Sequence, residues 1–310
     1  MPPRSSKLRY SRWLGTALSL LLLAYVLAQQ NWRAWPALLA QAPAGVFLAA
    51  WLAYVAGMAL NGVRWYWVAR AVDLPLRLAE AIRWTFVSAF VSNVLPSTIG
   101  GDMVRIAALA RRSNRWGLAI ASAMLDRLLK MAVMLSASPF TLAAFGGWSR
   151  LRGLFLTGGV WARFTSRERW VAFWHQTANW RRRPGWLLSA FGLAWLSVLP
   201  YVFATWTIAR GLGIPVSMSQ VLGAMVVSYF ITLLPISVNG WGLREVTIIR
   251  LYVALGATPE QASLLALSTR VLMFTVSLLG GLAAPRYWRD LVQQAPQEMP
   301  REGNEPFALA

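Results

Sequence analysis

Leu95-Pro-Ser-Thr-Ile-Gly-Gly-Asp-Met-Val-Arg105 aligns without a gap on Leu234-Pro-Ile-Ser-Val-Asn-Gly-Trp-Gly-Leu-Arg244. Leu, Pro, the second Gly and the closing Arg coincide, and Ile99/Val238 and Val104/Leu243 are apolar equivalents. Further on, Asp126-Arg127-Leu128 matches Thr269-Arg270-Val271, with each Arg well inside an apolar run. Weak internal symmetry of this kind marks two-fold transporter folds. In each copy an apolar helix too short to span comfortably stops at a proline, Pro96 or Pro235, because proline lacks an N–H and blocks continuation. A Gly-containing polar link and a second helix follow. Non-helical backbone at membrane depth survives only inside protein or against a water-filled cavity, so each copy reads as a re-entrant helical hairpin.

Composition supports lipid as the solvent. Hydrophobic residues make up 57% of the chain and charged residues 13%, where a soluble domain carries about a quarter charged. Apolar segments recur at 13–28, 44–70, 81–95, 118–145, 154–164, 186–209, 221–234, 241–255 and 259–284, with a short helix at 101–110. The expectation is an all-α, polytopic integral membrane protein whose transmembrane domain occupies 1–285, followed by a disordered cytoplasmic tail over 286–310. The Trp residues, among them Trp51, Trp65 and Trp67, read as interfacial belts.

The net charge of +19 would suggest nucleic acid in a soluble protein, but the arginines cluster between apolar runs, as cytoplasmic loops require. Anionic head groups are the natural counter-surface and no nucleic-acid partner is expected. Arg4, Lys7 and Arg12 place the N-terminus inside; Arg286 and Arg289 do the same for the C-terminal end. Following the arginines span by span brings hairpin one in from the inside and hairpin two from the outside, an inverted repeat. That result requires 154–164 to cross.

Charged residues inside spans cost about 2.5–3.5 kcal/mol each on insertion scales, so they point to function or to mutual neutralisation. Asp126 and Lys130 stand four apart and can pair. Arg64 and Arg250 read as snorkelling. Arg105 and Arg244, on the first turn or so of the second hairpin helices, are candidates for holding a phosphate beside a helix N-terminus. Arg127 and Arg270 would line the cavity, Gly100, Gly101 and Gly240 would allow close backbone approach, and Asp102, Asp126 and Glu245 complete the charged set.

The chain has no cysteine, and its single histidine, His175, lies in a basic loop. No thiol chemistry, metal site, cofactor site or Ser/His/Asp set is therefore expected. No Walker A sequence is present. The candidate set contains binding residues and no catalytic ones. Asp102, Asp126 and Glu245 keep a membrane transferase open as an alternative, and a lipid-binding accessory or scaffold of a membrane synthase is a further one.

On Asn61–Trp65, Leu95–Arg105, Asp126-Arg127 and Leu234–Glu245, the chain resembles the membrane, flippase-like domain of the lysylphosphatidylglycerol synthase family over about residues 10–285. The family pattern has Glu at the position of Asp126 and a smaller residue near Trp241. The resemblance implies a lipid-binding or translocating module of the cytoplasmic membrane, with a phospholipid or lipid-linked substrate. In the full-length synthases a separate soluble domain attaches lysine to phosphatidylglycerol. This chain reads as a stand-alone member without it.

Overall fold

The computed structural model describes residues 21, 24, 28, 32–94, 100–147, 184–233 and 240–293, the side chains of 184 and 285–293 excepted. Among the described residues every regular element is helical. In chain order these are α1 (Trp35–Gln41), α2 (Ala44–Arg70), α3 (Leu78–Val94), α4 (Gly100–Ser113), α5 (Trp116–Ser136), α6 (Ser138–Phe145), α7 (Pro184–Gly211), α8 (Met218–Thr232), α9 (Leu243–Ala254) and α10 (Pro259–Gln293). Pro96, Pro235 and the segment 154–164 lie outside the described residues.

Among the described residues four apolar stretches are long enough to cross a membrane: Ala44–Arg70, Trp116–Phe145, Gly185–Gly211 and Pro259–Ala284. The 27 residues of α2 extend about 40 Å at ~1.5 Å per residue, against a hydrocarbon core of about 30 Å. The 17 residues of α3 and 15 of α8 reach only about 25 and 22 Å. Leu188 and Leu282 stand 72% and 82% exposed on the spans, an arrangement that fits lipid and not water.

The short helices fold into hairpins. At the tip of the first, a Cβ on Gly101 would fall on the Ser88 carbonyl oxygen, so α4 begins hard against the end of α3. At the other end Arg112 of α4 donates to Glu80 of α3 at 2.6 Å. The two helices are thus antiparallel. In the second hairpin a Cβ on Gly240 would sit 3.1 Å from Thr232 at the end of α8.

The two halves are alike upstream of the hairpins as well. α2 and α7 pass into the same turn. Leu74 N–H donates to the Ala69 carbonyl at 3.1 Å and Leu76 N–H to Leu74 at 2.9 Å; Ile214 N–H donates to Ala209 at 2.9 Å and Val216 N–H to Ile214 at 2.9 Å. Asp73 and Gly213 take the left-handed position, φ 54° and 77°. The next helix then opens alike, Glu80 accepting from Arg77 N–H and Gln220 from Ser217 N–H. Leu74, Leu76, Ile214 and Val216 are all buried. The halves also pack reciprocally. α3 lies on α10, where a Cβ on Gly280 would fall 2.1 Å from the Phe86 carbonyl oxygen, and α8 lies on α6, where a Cβ on Gly223 would fall 2.7 Å from that of Phe140.

α2 and α7 form the centre. Val46 meets Gly211, Tyr54 packs edge-on against Tyr201 at 4.6 Å, Arg64 donates to Ser197 at 3.2 Å, and Trp67 lies beside Trp186. These contacts run in opposite chain directions, so the two helices are antiparallel. Counting from the matched turns, Asn61 and Tyr201 are equivalent positions, and they touch: Asn61 Nδ2 donates to the Tyr201 hydroxyl at 2.6 Å.

Two expectations change. α10 continues through Pro285 to Gln293, so the first part of the expected tail is helical; extending an existing helix adds one hydrogen bond per residue fixed, whereas nucleating a new one is costly. Trp65 is not interfacial but 1% exposed in the core, because it faces an ion cluster described next.

Candidate functional site: two buried arginine clusters

The first cluster joins α2, α4 and α5. Arg64 grips Asp126 with both ends of its fork, Nε to Oδ1 at 2.7 Å and Nη2 to Oδ2 at 3.1 Å. Arg105 adds a third contact to Asp126 Oδ2 at 3.4 Å, and its guanidinium lies 5.3 Å from the centre of the Trp65 ring. Asp102 bridges Arg105 and Arg127. Arg64, Arg105 and Asp126 are 3%, 8% and 3% exposed, so these charges are desolvated and hold one another. The Arg127 side chain, 48% exposed, stands at the edge. Lys130 does not form the anticipated pair with Asp126. Its Nζ lies 5.4 Å from the Tyr229 ring of α8, since the carboxylate is already taken by the two guanidinia. Arg64 likewise does not snorkel: a buried carboxylate on α5 requires a cation, and α2 supplies it.

The second cluster joins the link 240–242, α9 and α10. Gly240 and Gly242 take φ 72° and 77° on either side of Trp241, a double left-handed step that only glycine adopts cheaply. It delays the helix start to Leu243, which puts Arg244 on the first turn of α9, whereas α4 is already helical from Gly100 and carries Arg105 on its second. Glu245 does two jobs. Oε2 accepts from Gly242 N–H at 2.8 Å, capping α9, and Oε1 accepts from Arg270 Nε at 2.6 Å. Arg270 also donates to the Gly240 carbonyl at 3.4 Å and lies 4.9 Å from the Trp241 ring centre. Arg244 Nη2 donates to Thr269 Oγ1 at 3.5 Å, and its Nη1 stays 3.8 Å from Glu245.

In both clusters cations exceed carboxylates. Among the described residues Arg64, Arg105, Arg127 at the exposed edge, and Lys130 face Asp102 and Asp126, while Arg244 and Arg270 face only Glu245. Among the described residues no group of His, Asp and Glu is composed to hold a metal. The residues singled out from the sequence therefore divide. Arg105, Arg127, Asp102 and Asp126 meet in one place, Arg244, Glu245, Arg270 and Gly240 in the other. Gly101 is used up in helix contact with Ser88 and Ser92, and Arg250 is exposed on α9. Sequence reasoning missed Arg64 as the partner of Asp126, and Thr269 and Trp241 as partners of the second arginine pair.

The fold is all-helical among the described residues, where four apolar helices reach membrane length with ion clusters between them, and the chain is a multi-pass membrane protein. The family described as "Lysylphosphatidylglycerol synthase TM region" matches residues 12–281. The chain belongs to that family, which ties it to membrane lipid metabolism or transport. Neither the curated proteins nor the solved structures gave a match.

Proposed function

We propose that the protein moves a phosphate-bearing or anionic lipid between leaflets of the cytoplasmic membrane, without carrying out chemistry on it. The observation that carries this reading is the surplus of arginine over carboxylate in the second cluster, where, among the described residues, Arg244 and Arg270 share Glu245 and an uncompensated charge inside a membrane protein is expensive. An anionic head group is the counter-charge a membrane offers, and Arg pairs with phosphate through two parallel N–H donors. Arg244 is the phosphate ligand in this reading, with Arg270 beside it; Arg105 and Arg127, the other two candidates, are already held by Asp102 and Asp126.

The antiparallel packing of α2 and α7, which lead into matching turns, supports an inverted repeat. The two short hairpins support re-entrant elements entering from opposite faces, the arrangement used for alternating access. An apolar groove lined by Trp35, Phe47, Trp51, Leu264, Val271 and Leu272 runs along α10 and suits an acyl chain.

The test is leaflet exchange of labelled lipids by the purified protein in liposomes. Exchange of phosphate-bearing lipids well above protein-free vesicles is the expected result. Binding without exchange would make the protein a lipid-binding accessory, and a chemically altered lipid would make it a transferase.

A further inference from the structure

The two clusters are copies of one arrangement. The repeat pairs Arg105 with Arg244, Asp102 with Trp241, Asp126 with Thr269 and Arg127 with Arg270. The pairs keep their neighbours in space. Arg105 reaches Asp126 at 3.4 Å where Arg244 reaches Thr269 at 3.5 Å. Arg127 is held by Asp102 where Arg270 lies over Trp241. Wherever the first half presents a carboxylate to one of these arginines, the second presents a neutral side chain.

Glu245, which has no counterpart acid in the first half, compensates part of this loss. One positive charge is left over. Nη1 of Arg244 and Nη1 of Arg270 are buried and have no hydrogen-bond partner among the described residues; in the first cluster Arg105 Nε is likewise unpartnered, but both Nη atoms of Arg105 are taken by carboxylates. Stacking on Trp241 engages only the face of the Arg270 guanidinium and leaves its in-plane donors available. The Arg270 side chain is 8% exposed and that of Arg244 23%, so the pair is desolvated with an opening on the Arg244 side.

Resting on the lipid-handling reading above, we infer that Arg244 and Arg270 bind the singly charged phosphate of a phosphodiester, in the place that Asp126 and Asp102 fill in the first half. A monoanion neutralises the leftover charge, whereas a dianion would bury a new one. The first cluster, supplied with its own carboxylates, is the closed copy, and the second is the ligand site.

The experiment titrates the full-length protein in maltoside detergent with short-chain phosphatidylglycerol, short-chain phosphatidic acid and inorganic phosphate, reading binding by calorimetry. The diester lipid binds best in the expected outcome. Inorganic phosphate binding as tightly would assign the site to free phosphate and overturn the diester assignment, as would tighter binding of phosphatidic acid. Thr269→Asp rebuilds the Asp126 carboxylate and should weaken the lipid by about tenfold or more while the melting temperature holds or rises. If that variant does not fold, Arg244→Gln should show the same loss, and Arg250→Gln, an equal change of charge at an exposed position of α9, should not. Native protein that exchanges lipid in liposomes, with Thr269→Asp and Arg244→Gln binding as it does, overturns this site and leaves the lipid-moving reading standing. Native protein that neither binds nor exchanges any phosphate lipid overturns both.

Discussion

Arg105 and Arg244 close the same sequence motif, yet they live in different electrostatic surroundings. Arg105 sits between Asp102 and Asp126, with Arg64 brought in from α2 to complete the set. Arg244 leans on Thr269 and reaches Glu245 only at 3.8 Å. A duplicated backbone therefore does not fix what a duplicated side chain does. The completion of the charge set by neighbouring helices decides whether an arginine is a structural member or a donor with spare capacity. Buried carboxylates hold the arginines of one copy, and threonine and tryptophan stand at the equivalent positions of the other.

The contrast is broken most forcefully at Asp126. Asp126→Asn should destabilise the protein by about 3–5 kcal/mol, because Arg64 and Arg105 lose the charge that holds them in the core. Thr269→Val, at the equivalent position, should cost about 1 kcal/mol. Thermal unfolding of both variants in one detergent measures the difference, and equal losses would mean that the two clusters are energetically alike.

Next in size is the effect on lipid movement. Arg244→Lys keeps the charge but gives up the fork, and about 1.5–3 kcal/mol of charge-assisted hydrogen bonding goes with it. Exchange at limiting lipid should fall by roughly one to two orders of magnitude, with Arg250→Lys unaffected at matched protein levels. If Arg105→Lys reduces exchange while leaving stability intact, the first cluster is a ligand site too and the contrast fails.

Packing sharpens the comparison further. Gly280→Ala and Gly223→Ala press a methyl group on the carbonyls of Phe86 and Phe140, at 2.1 and 2.7 Å before relaxation. Losses of about 1–3 kcal/mol are expected for such overpacking, the larger at Gly280. A melting temperature unchanged in either variant would show that the helix pair there has room to separate.

The smallest effect lies outside the spans, where the first hairpin is tied by Glu80 and Arg112 and the second begins with neutral Gln220. Partial burial would by itself raise the Glu80 carboxyl, but the Arg112 hydrogen bond and charge and the Arg77 N–H outweigh it and hold it below the ordinary value. A lowered carboxyl contributes stability above its unfolded value and loses it as pH falls through the folded one. Glu80→Gln should therefore cost at most about 1 kcal/mol near neutral pH for so exposed a pair, and the difference from native should vanish in acid. A gap that persists there would assign Glu80 a role beyond the ion pair.

Much of this architecture was legible in the residues. The apolar run 44–70 is α2 to the residue, and the apolar run that begins at 81 and the short helix expected over 101–110 fall on α3 and α4. The paired Leu-Pro motifs announced the duplication, although the matched turns after Arg70 and Arg210 carry as much of it and went unread. The candidate site was legible as a set of residues and not as an arrangement. Asp126 looked like the partner of Lys130 because they are one turn apart on one helix, whereas its partners come from α2 and α4.

Among the described residues the sequence by itself determined most of the helical segments and which of them are long enough to cross lipid, because those properties depend on local chain length, apolar content and proline. It did not determine which way each helix turns its charges. In water an apolar stripe opposite a polar one reveals the buried face, but a helix in lipid is apolar on every side, so its rotation is set by close contact with its neighbours. Only the tertiary structure, in bringing Arg64 to Asp126 across 62 residues and Arg270 to Glu245 across 25, decided which arginines each carboxylate holds.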